Sequence, residues 1–311
     1  MSDFYEKVYD QETKERFLSS IDLNKYPPRW WERVFEKSYI LEALYHKDLY
    51  AFTAPEIIEF YKFLDVGTIN PLIVYNTNIL KYAQWALNEH LIFDGQNHYD
   101  ELDVDMLSLC LNNRKVTQSI LSYDEFIRMI YKVSNEQDKY LFFCLFEGIK
   151  GKDYDEIINL KMSDINEQEL TAHLCSGRDI KVSQEFINVC RDADRQTEYA
   201  SLTGNKTIKL IPSITIFKEK ARSNGQHLAH TVYRNVIRNL KLMDMHYGIV
   251  TAKSIRDSGF IYHLNMRAKE KGITAEELLY DFDACQDLVE KYCFNYVTKK
   301  GWVLQYKSFL Y

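Results

Sequence analysis

The run KYLFFCLFEGIKGKDYDEIINLKMSDI, residues 139–165, narrows the folds open to this 311-residue chain more than any other stretch. From Tyr140 to Phe146 every position is apolar, so a helix here has no polar face and has to be buried. A glycine-containing turn follows, then a second helical pattern, and Asp164 closes it. The flanks supply the surrounding elements. LSYDEFIRMIYKV places Ser122 as an N-cap with Glu125 three residues later, a capping box ahead of a helical apolar stripe. ELTAHLC and SGRDIKVS predict a β-hairpin turning at Ser176–Gly177, a helix runs from Gln184, and KTIKLIPSITIF offers a further strand.

The N-terminal half reads differently. Pro27–Pro28 interrupts the pattern before an aromatic helix from about Trp30, and Thr53 with Pro55 and Glu56 marks another helix start. Asn70–Pro71 opens a third, with Leu72, Tyr75, Ile79, Tyr82, Trp85 and Ala86 on one side and Asn76, Lys81 and Gln84 elsewhere. Only five prolines and eleven glycines punctuate the chain, which favours long helices and short connections. The expectation is a mostly α protein with a small β-sheet in two domains. Residues 1–110 form an N-terminal segment and helical domain, 111–120 (LNNRKVTQSI) a linker, and 121–311 the second domain.

Composition excludes several classes. The opening MSDFYEKVYDQETKERF is charged throughout and is no signal peptide; no apolar run approaches a membrane span. A cytoplasmic location with no membrane partner is expected. Six scattered cysteines, Cys110, Cys144, Cys175, Cys190, Cys285 and Cys293, show no CxxC spacing, so neither a metal site, a cofactor nor a disulfide framework is expected. The net charge of −6 weighs against a nucleic-acid partner, yet residues 201–260 hold ten Lys/Arg against three acids. Within that region, VTAKSIRDSG (250–259) predicts a helix capped by Thr251 with Lys253 and Arg256 on one face. Such a pair suits a phosphate; a solvated charged face is the plainer alternative.

Over residues 120–300 the chain resembles the tyrosine recombinase (phage integrase) family, and the preceding helices resemble that family's core-binding domain. EGIKGKDYDEIINLKMSDI is similar to the family's turn and helix at Gly148 or Gly151, Glu156, Leu160, Lys161, Asp164 and Ile165. The family's catalytic arginine is replaced there by Lys150 or Asp153. Arg178 stands near the position of the hairpin lysine, with Lys181 further along. AKSIRDSGFIYHL resembles the His-x-x-Arg helix, with Lys253 for the histidine and Arg256 for the arginine. Tyr292 falls on the nucleophile and Asp283 on a preceding histidine, amid carboxylates that repel a phosphate.

The resemblance implies a two-domain clamp around duplex DNA. It also implies loss of recombinase chemistry: Tyr292 is a vestigial nucleophile position and no residue is catalytic. The helix in GQHLAHTVYRNVIRNLKLM would enter the major groove with His230, Thr231, Tyr233 and Arg234 near its start, while Val232, Val236, Ile237 and Leu240 face inward. Lys81, Arg114, Lys115, Lys150, Arg178, Lys253 and Arg256 complete the expected DNA contacts. RWWE, KDLYAFT and EFYKFLDV resemble the integrase-like repressors of SPbeta-like temperate phages, implying an operator-binding repressor that maintains lysogeny. A monomer in solution, released by a regulatory protein or a peptide-controlled antirepressor, is the matching expectation. The alternatives are a divergent active recombinase using Tyr292, with Arg178, Arg256 and Lys150 rebuilding the phosphate pocket, and an interaction scaffold that does not bind DNA.

Overall fold

The computed structural model describes residues 8–22, 28–112, 115, 118–201, 206–221, 228–243, 250–292, 303 and 306–310. The chain divides into two compact units, Met1–Val116 and Thr117–Tyr311. Among the described residues the first holds helices and no strand: α1 (Gln11–Ser20), α2 (Pro28–Tyr45), α3 (Ala54–Phe63), α4 (Ile69–Asn88) and α5 (Val104–Ser108). Helix α3 starts as its sequence predicts, with the Glu56 carboxylate accepting from the Thr53 N–H at 2.7 Å. Helix α4 buries Leu72, Ile79, Tyr82 and Ala86 and leaves Lys81 exposed.

Helix α1 is the unexpected element, because its charged sequence hides a buried lysine. Lys14 is 2% exposed and donates to Glu42 Oε1 at 2.7 Å, Asp48 Oδ2 at 2.8 Å and the Tyr9 carbonyl at 2.5 Å. Burial, followed by the charge of Asp48, pushes the Glu42 carboxyl up to about 8. One turn on, Phe17 sits 4.8 Å from the Trp31 ring and 4.6 Å from that of Tyr82, pairings each worth about 0.5–1.5 kcal/mol beyond the area they bury. Lys14 and Phe17 together tie α1 to the unit.

The second unit is built around the apolar helix of the opening run. Its helices are α6 (Tyr123–Tyr131), α7 (Glu136–Phe146), α8 (Asp155–Asn159), α9 (Gln184–Arg195), α10 (Leu228–Leu242), α11 (Ala252–Lys271), α12 (Ala275–Tyr280) and α13 (Gln286–Lys291). All but the first and fourth residues of α7 are buried, and α9, α10 and α11 pack on it. The capping box of α6 is present, with Ser122 N–H donating to Glu125 Oε2 at 2.8 Å. Strands β1 (Ile165–Asn166), β2 (Thr171–His173) and β3 (Asp179–Lys181) form an antiparallel sheet in that order, with Ala172 opposite Ile180. A second antiparallel pair joins β4 (Glu198–Ala200) to β5 (Thr207–Lys209).

Candidate nucleic-acid interface

Three features of the second unit converge where α7 ends. The Glu147 carboxylate begins the turn, α11 crosses behind it, and the chain leaving α13 brings Lys291 and Tyr292 against it. Two glycines permit the approach. A Cβ on Gly259 would lie 1.8 Å from the Phe146 carbonyl oxygen, and one on Gly148, whose φ is +83°, would lie 2.6 Å from the Lys291 carbonyl oxygen. Bulk at either position is therefore excluded by backbone, which has nowhere to move.

Tyr292 is fully buried here, its hydroxyl donating to the Phe146 carbonyl at 2.6 Å. His263 Nδ1 lies 2.8 Å from that hydroxyl and 2.8 Å from the Gly259 carbonyl, while its Nε2 lies 3.2 Å from Lys291 Nζ. A lysine ammonium only donates, so Nε2 accepts and Nδ1 carries the proton of a neutral imidazole. Burial, then the Lys291 charge, holds the His263 pKa down to about 4. Lys291 also donates to Glu147 Oε2 at 2.6 Å. Burial opposes the Glu147 charge, but the Lys291 ammonium, with the Ser183 N–H donating to Oε1 at 3.1 Å, outweighs it and keeps that carboxyl below its ordinary range. The Tyr292 phenol is pushed well above its ordinary value, first by burial and then by the Glu147 charge, with Arg256 partly offsetting both. A hydroxyl so placed is a poor nucleophile.

Arg178, expected at a phosphate, has its partners inside the fold in the free chain. Its Nε and one terminal nitrogen fork onto Glu156 at 3.0 and 2.7 Å, and the other terminal nitrogen donates to the carbonyls of Glu290 and Lys291 at 2.7 and 2.8 Å. Four of its five N–H groups are thus engaged inside the fold, tying the hairpin tip to α8 and to the end of α13. Glu156 also accepts from the Lys150 backbone N–H at 3.0 Å. The turn between them is backbone-strained, with Asp153 and Tyr154 at φ of 52° and 64°. Of the two candidates for the missing arginine, Lys150 lies with its ammonium 5.5 Å from the Tyr154 ring centre, and Asp153 points to solvent.

Helix α11 begins as predicted, with Ser254 N–H donating to Thr251 Oγ1 at 3.1 Å. Lys253 is exposed but directs its ammonium to Asp257 Oδ2 at 2.5 Å, whose other oxygen accepts from the Tyr306 hydroxyl at 3.1 Å. Arg256, half-buried one turn along, is a cation whose charge reaches Tyr292. Lys150, Arg178, Arg256 and Tyr292 are therefore gathered around one corner of the unit, and Lys253 borders it.

Helix α10 presents the other surface. Val232, Val236 and Leu240 are buried as expected and Ile237 half-buried, but Asn235 and Asn239 are buried as well. The outer face carries His230, Tyr233, Arg234, Arg238 and Lys241, all exposed, with Thr231 half-buried, and the helix contains no acid. Tyr233 lies close enough to Tyr154 to influence its phenol, so the start of α10 borders the strained turn.

The remaining expected contacts are scattered. Lys115 pairs with the Asp65 carboxylate and also donates to the Asp65 carbonyl at 2.8 Å. Arg114 lies outside the described residues. Asn76 is buried and accepts from the Tyr61 hydroxyl at 2.9 Å. Glu147, His263 and Lys291 were not singled out from the sequence; the only signal was Gly259 four residues before His263, a small residue marking a close crossing. Among the described residues no cluster of His, Cys, Asp and Glu could hold a metal ion, and no helix is long and apolar enough to cross a membrane.

Comparison with known families adds the decisive observation. Residues 120–307 match the family model described as MrpR, C-terminal catalytic domain, and residues 8–88 match MrpR, N-terminal core-binding domain. The chain belongs to the MrpR family. Its mostly helical architecture with a small sheet matches the MrpR pair of core-binding and catalytic domains. The chain is also similar to the SPbeta prophage-derived uncharacterized protein YopR of Bacillus subtilis (strain 168), with 26% identity over 288 residues, 88% of this chain and 86% of that protein. Among solved structures it is similar to XerA recombinase, at 14% identity and a TM-score of 0.38 over 94% of this chain and 93% of that one. A second is the integrase from mycobacterium phage Brujita, at 10% identity and 0.31 over 95% and 96%.

Proposed function

We propose that this MrpR-family chain is a sequence-specific DNA-binding protein, a transcriptional repressor that maintains a prophage in lysogeny, and that it does not cleave DNA. The observation that carries the reading is the Tyr292 hydroxyl, buried and donating to the Phe146 carbonyl. Attack on a phosphate needs that oxygen exposed, freed of its proton and surrounded by cations that stabilise the transferred group. Here burial opposes ionisation, and Arg178 is engaged with Glu156. Losing a single catalytic donor slows such chemistry by roughly 10²–10³, so several losses leave little of it.

What remains suited to DNA is the outer face of α10 together with Arg256. A helix rich in cations and free of acids, in a chain of net charge −6, concentrates positive potential on one surface. Similarity to a prophage-derived protein supports the lysogeny part of the reading. The expected partner is a duplex operator, bound in the host cytosol.

Incubation with a suicide DNA substrate tests the absence of chemistry. No covalent adduct is expected; an adduct that disappears in Tyr292→Phe establishes an active recombinase instead. Selection of bound sequences from random duplexes tests the rest. Arg256→Ala is expected to weaken binding on all sequences and to flatten its salt dependence.

A further inference from the structure

Beside α10 lies a cation that neither the family resemblance nor the α10 face accounts for. Lys220 follows the β4–β5 pair, where its backbone bridges to Leu210, and its ammonium sits 3.5 Å from the centre of the Tyr199 ring. That ring is fixed from behind. The Tyr199 hydroxyl donates at 2.6 Å to Asp138 Oδ2, a fully buried carboxylate on α7. Helix α10 packs on α7, the helix that carries Asp138. Arg238 affects the titration of both Lys220 and Tyr199, and Arg234, one turn earlier, affects that of Lys220.

Holding a partly buried ammonium next to two guanidinium groups is unfavourable in the free protein. Burial lowers the Lys220 pKa; the charge of the buried Asp138 opposes that, and Arg238 and then Arg234 add to the lowering. Like charges kept together on a rigid aromatic base are relieved when an anion enters between them, so the arrangement favours a bound phosphate over the empty state. An ammonium acts as a point-charge phosphate ligand and a guanidinium as a fork, which makes the pair complementary.

We propose that Lys220, seated on Tyr199, and Arg238 form a clamp for a backbone phosphate of duplex DNA at the flank of α10, leaving Arg234 to reach the groove. The clamp rests on the reading of the chain as a DNA-binding protein. It adds Tyr199 as a positioning residue, whose ring holds the ammonium.

The test is titration of the full chain with a labelled random-sequence duplex over a series of KCl concentrations. Lys220→Gln and Arg238→Gln are each expected to shallow the slope of log K against log salt by about 0.9, the value for one fewer phosphate neutralised. Tyr199→Phe, which keeps the ring, should retain the wild-type slope, and Tyr199→Leu should reduce it as much as Lys220→Gln does. Wild-type slopes in both Lys220→Gln and Arg238→Gln, in a protein that binds duplex, overturn the clamp and leave the DNA-binding reading standing. Wild-type chain that binds no duplex overturns both. Should a variant fail to melt cooperatively, amine acylation of Lys220 in the wild-type chain decides: duplex should slow it, and an unchanged rate overturns the clamp. Inorganic phosphate at matched ionic strength should protect Lys220 far less than duplex; equal protection replaces the DNA backbone with a free anion as ligand and also overturns it.

Discussion

The Tyr292 hydroxyl caps the Phe146 carbonyl at 2.6 Å, so the residue that the family resemblance put at the nucleophile position closes the C-terminus of α7. The last carbonyls of a helix have no partner within the helix, and one buried without a partner is costly. The position therefore has a structural task that requires the hydroxyl and keeps it from solvent. That hydrogen bond separates a stability role from a chemical one. Tyr292→Phe should lower stability by about 1–3 kcal/mol in urea unfolding, because the Phe146 carbonyl stays buried without its donor. Its affinity for operator DNA should match wild type at a temperature where both are folded.

Gly259→Ala gives a sign-determined test of the crossing. In an unconstrained helix interior the change stabilises by about 1 kcal/mol. Here the new methyl would lie 1.8 Å from the Phe146 carbonyl oxygen and 2.8 Å from the Tyr292 hydroxyl. Separating α11 from α7 to relieve that clash should cost about 3 kcal/mol or more. A variant more stable than wild type would refute the packing of α11 on α7.

Acid should loosen the second unit through His263. Its folded pKa is about 4, below the ordinary 6.5, so between those values the unfolded chain binds more protons. Stability from this group is complete above about pH 6.5 and is lost as pH falls toward 4, up to about 3 kcal/mol. Glu147, whose pKa is also lowered, acts in the same direction at lower pH. Urea midpoints measured from pH 7 to 4.5 should fall, and His263→Gln should flatten that fall. A profile identical in the variant assigns the pH dependence to other groups.

Arg178→Ala should behave as a folding variant. Removing the guanidinium leaves Glu156, 1% exposed, with Ser176 and the Lys150 N–H as its carboxylate's partners among the described residues. A buried carboxylate deprived of its cation costs about 3–5 kcal/mol. Lys at this position cannot fork onto the carboxylate and reach the two α13 carbonyls together, so Arg178→Lys should recover little. Melting temperature is the readout. A variant that keeps wild-type stability but loses salt-dependent DNA binding would return Arg178 to the phosphate.

The contrast between Arg178 and Thr251 explains what was legible in the sequence. Caps, turns and amphipathic stripes are local. Ser122 with Glu125, Thr251 with Ser254, the β2–β3 hairpin and the buried Val232, Val236 and Leu240 were all visible at short spacing. The residues whose surroundings the sequence does not show are those whose partners are distant. Lys14 finds Glu42 and Asp48 on later elements, Arg178 finds Glu156 and the end of α13, and Asn76 is claimed by Tyr61. A charged side chain in sequence looks solvated until the fold brings it a counter-charge, and no spacing rule reports that. Helix α1 was missed for this reason, since its buried lysine is indistinguishable from its exposed neighbours.

Selectivity is the property that α10 should carry. Arg234 is exposed on its outer face, within the first half of the helix, where a groove-inserted helix reads bases. Arg234→Ala should therefore cost about 1–3 kcal/mol on the cognate operator and much less on random duplex, lowering the ratio between them. Folding does not confound the measurement, because the helix packs through Val232, Val236 and Leu240 on its opposite side. Lys220→Gln provides the internal contrast: a phosphate ligand strengthens both duplexes alike, so without it the specificity ratio should hold while the salt slope falls. Equal losses on both duplexes would make Arg234 a third phosphate ligand and move base reading toward His230 and Tyr233. No loss on either would turn α10 away from DNA and leave Arg256 to identify the face that binds.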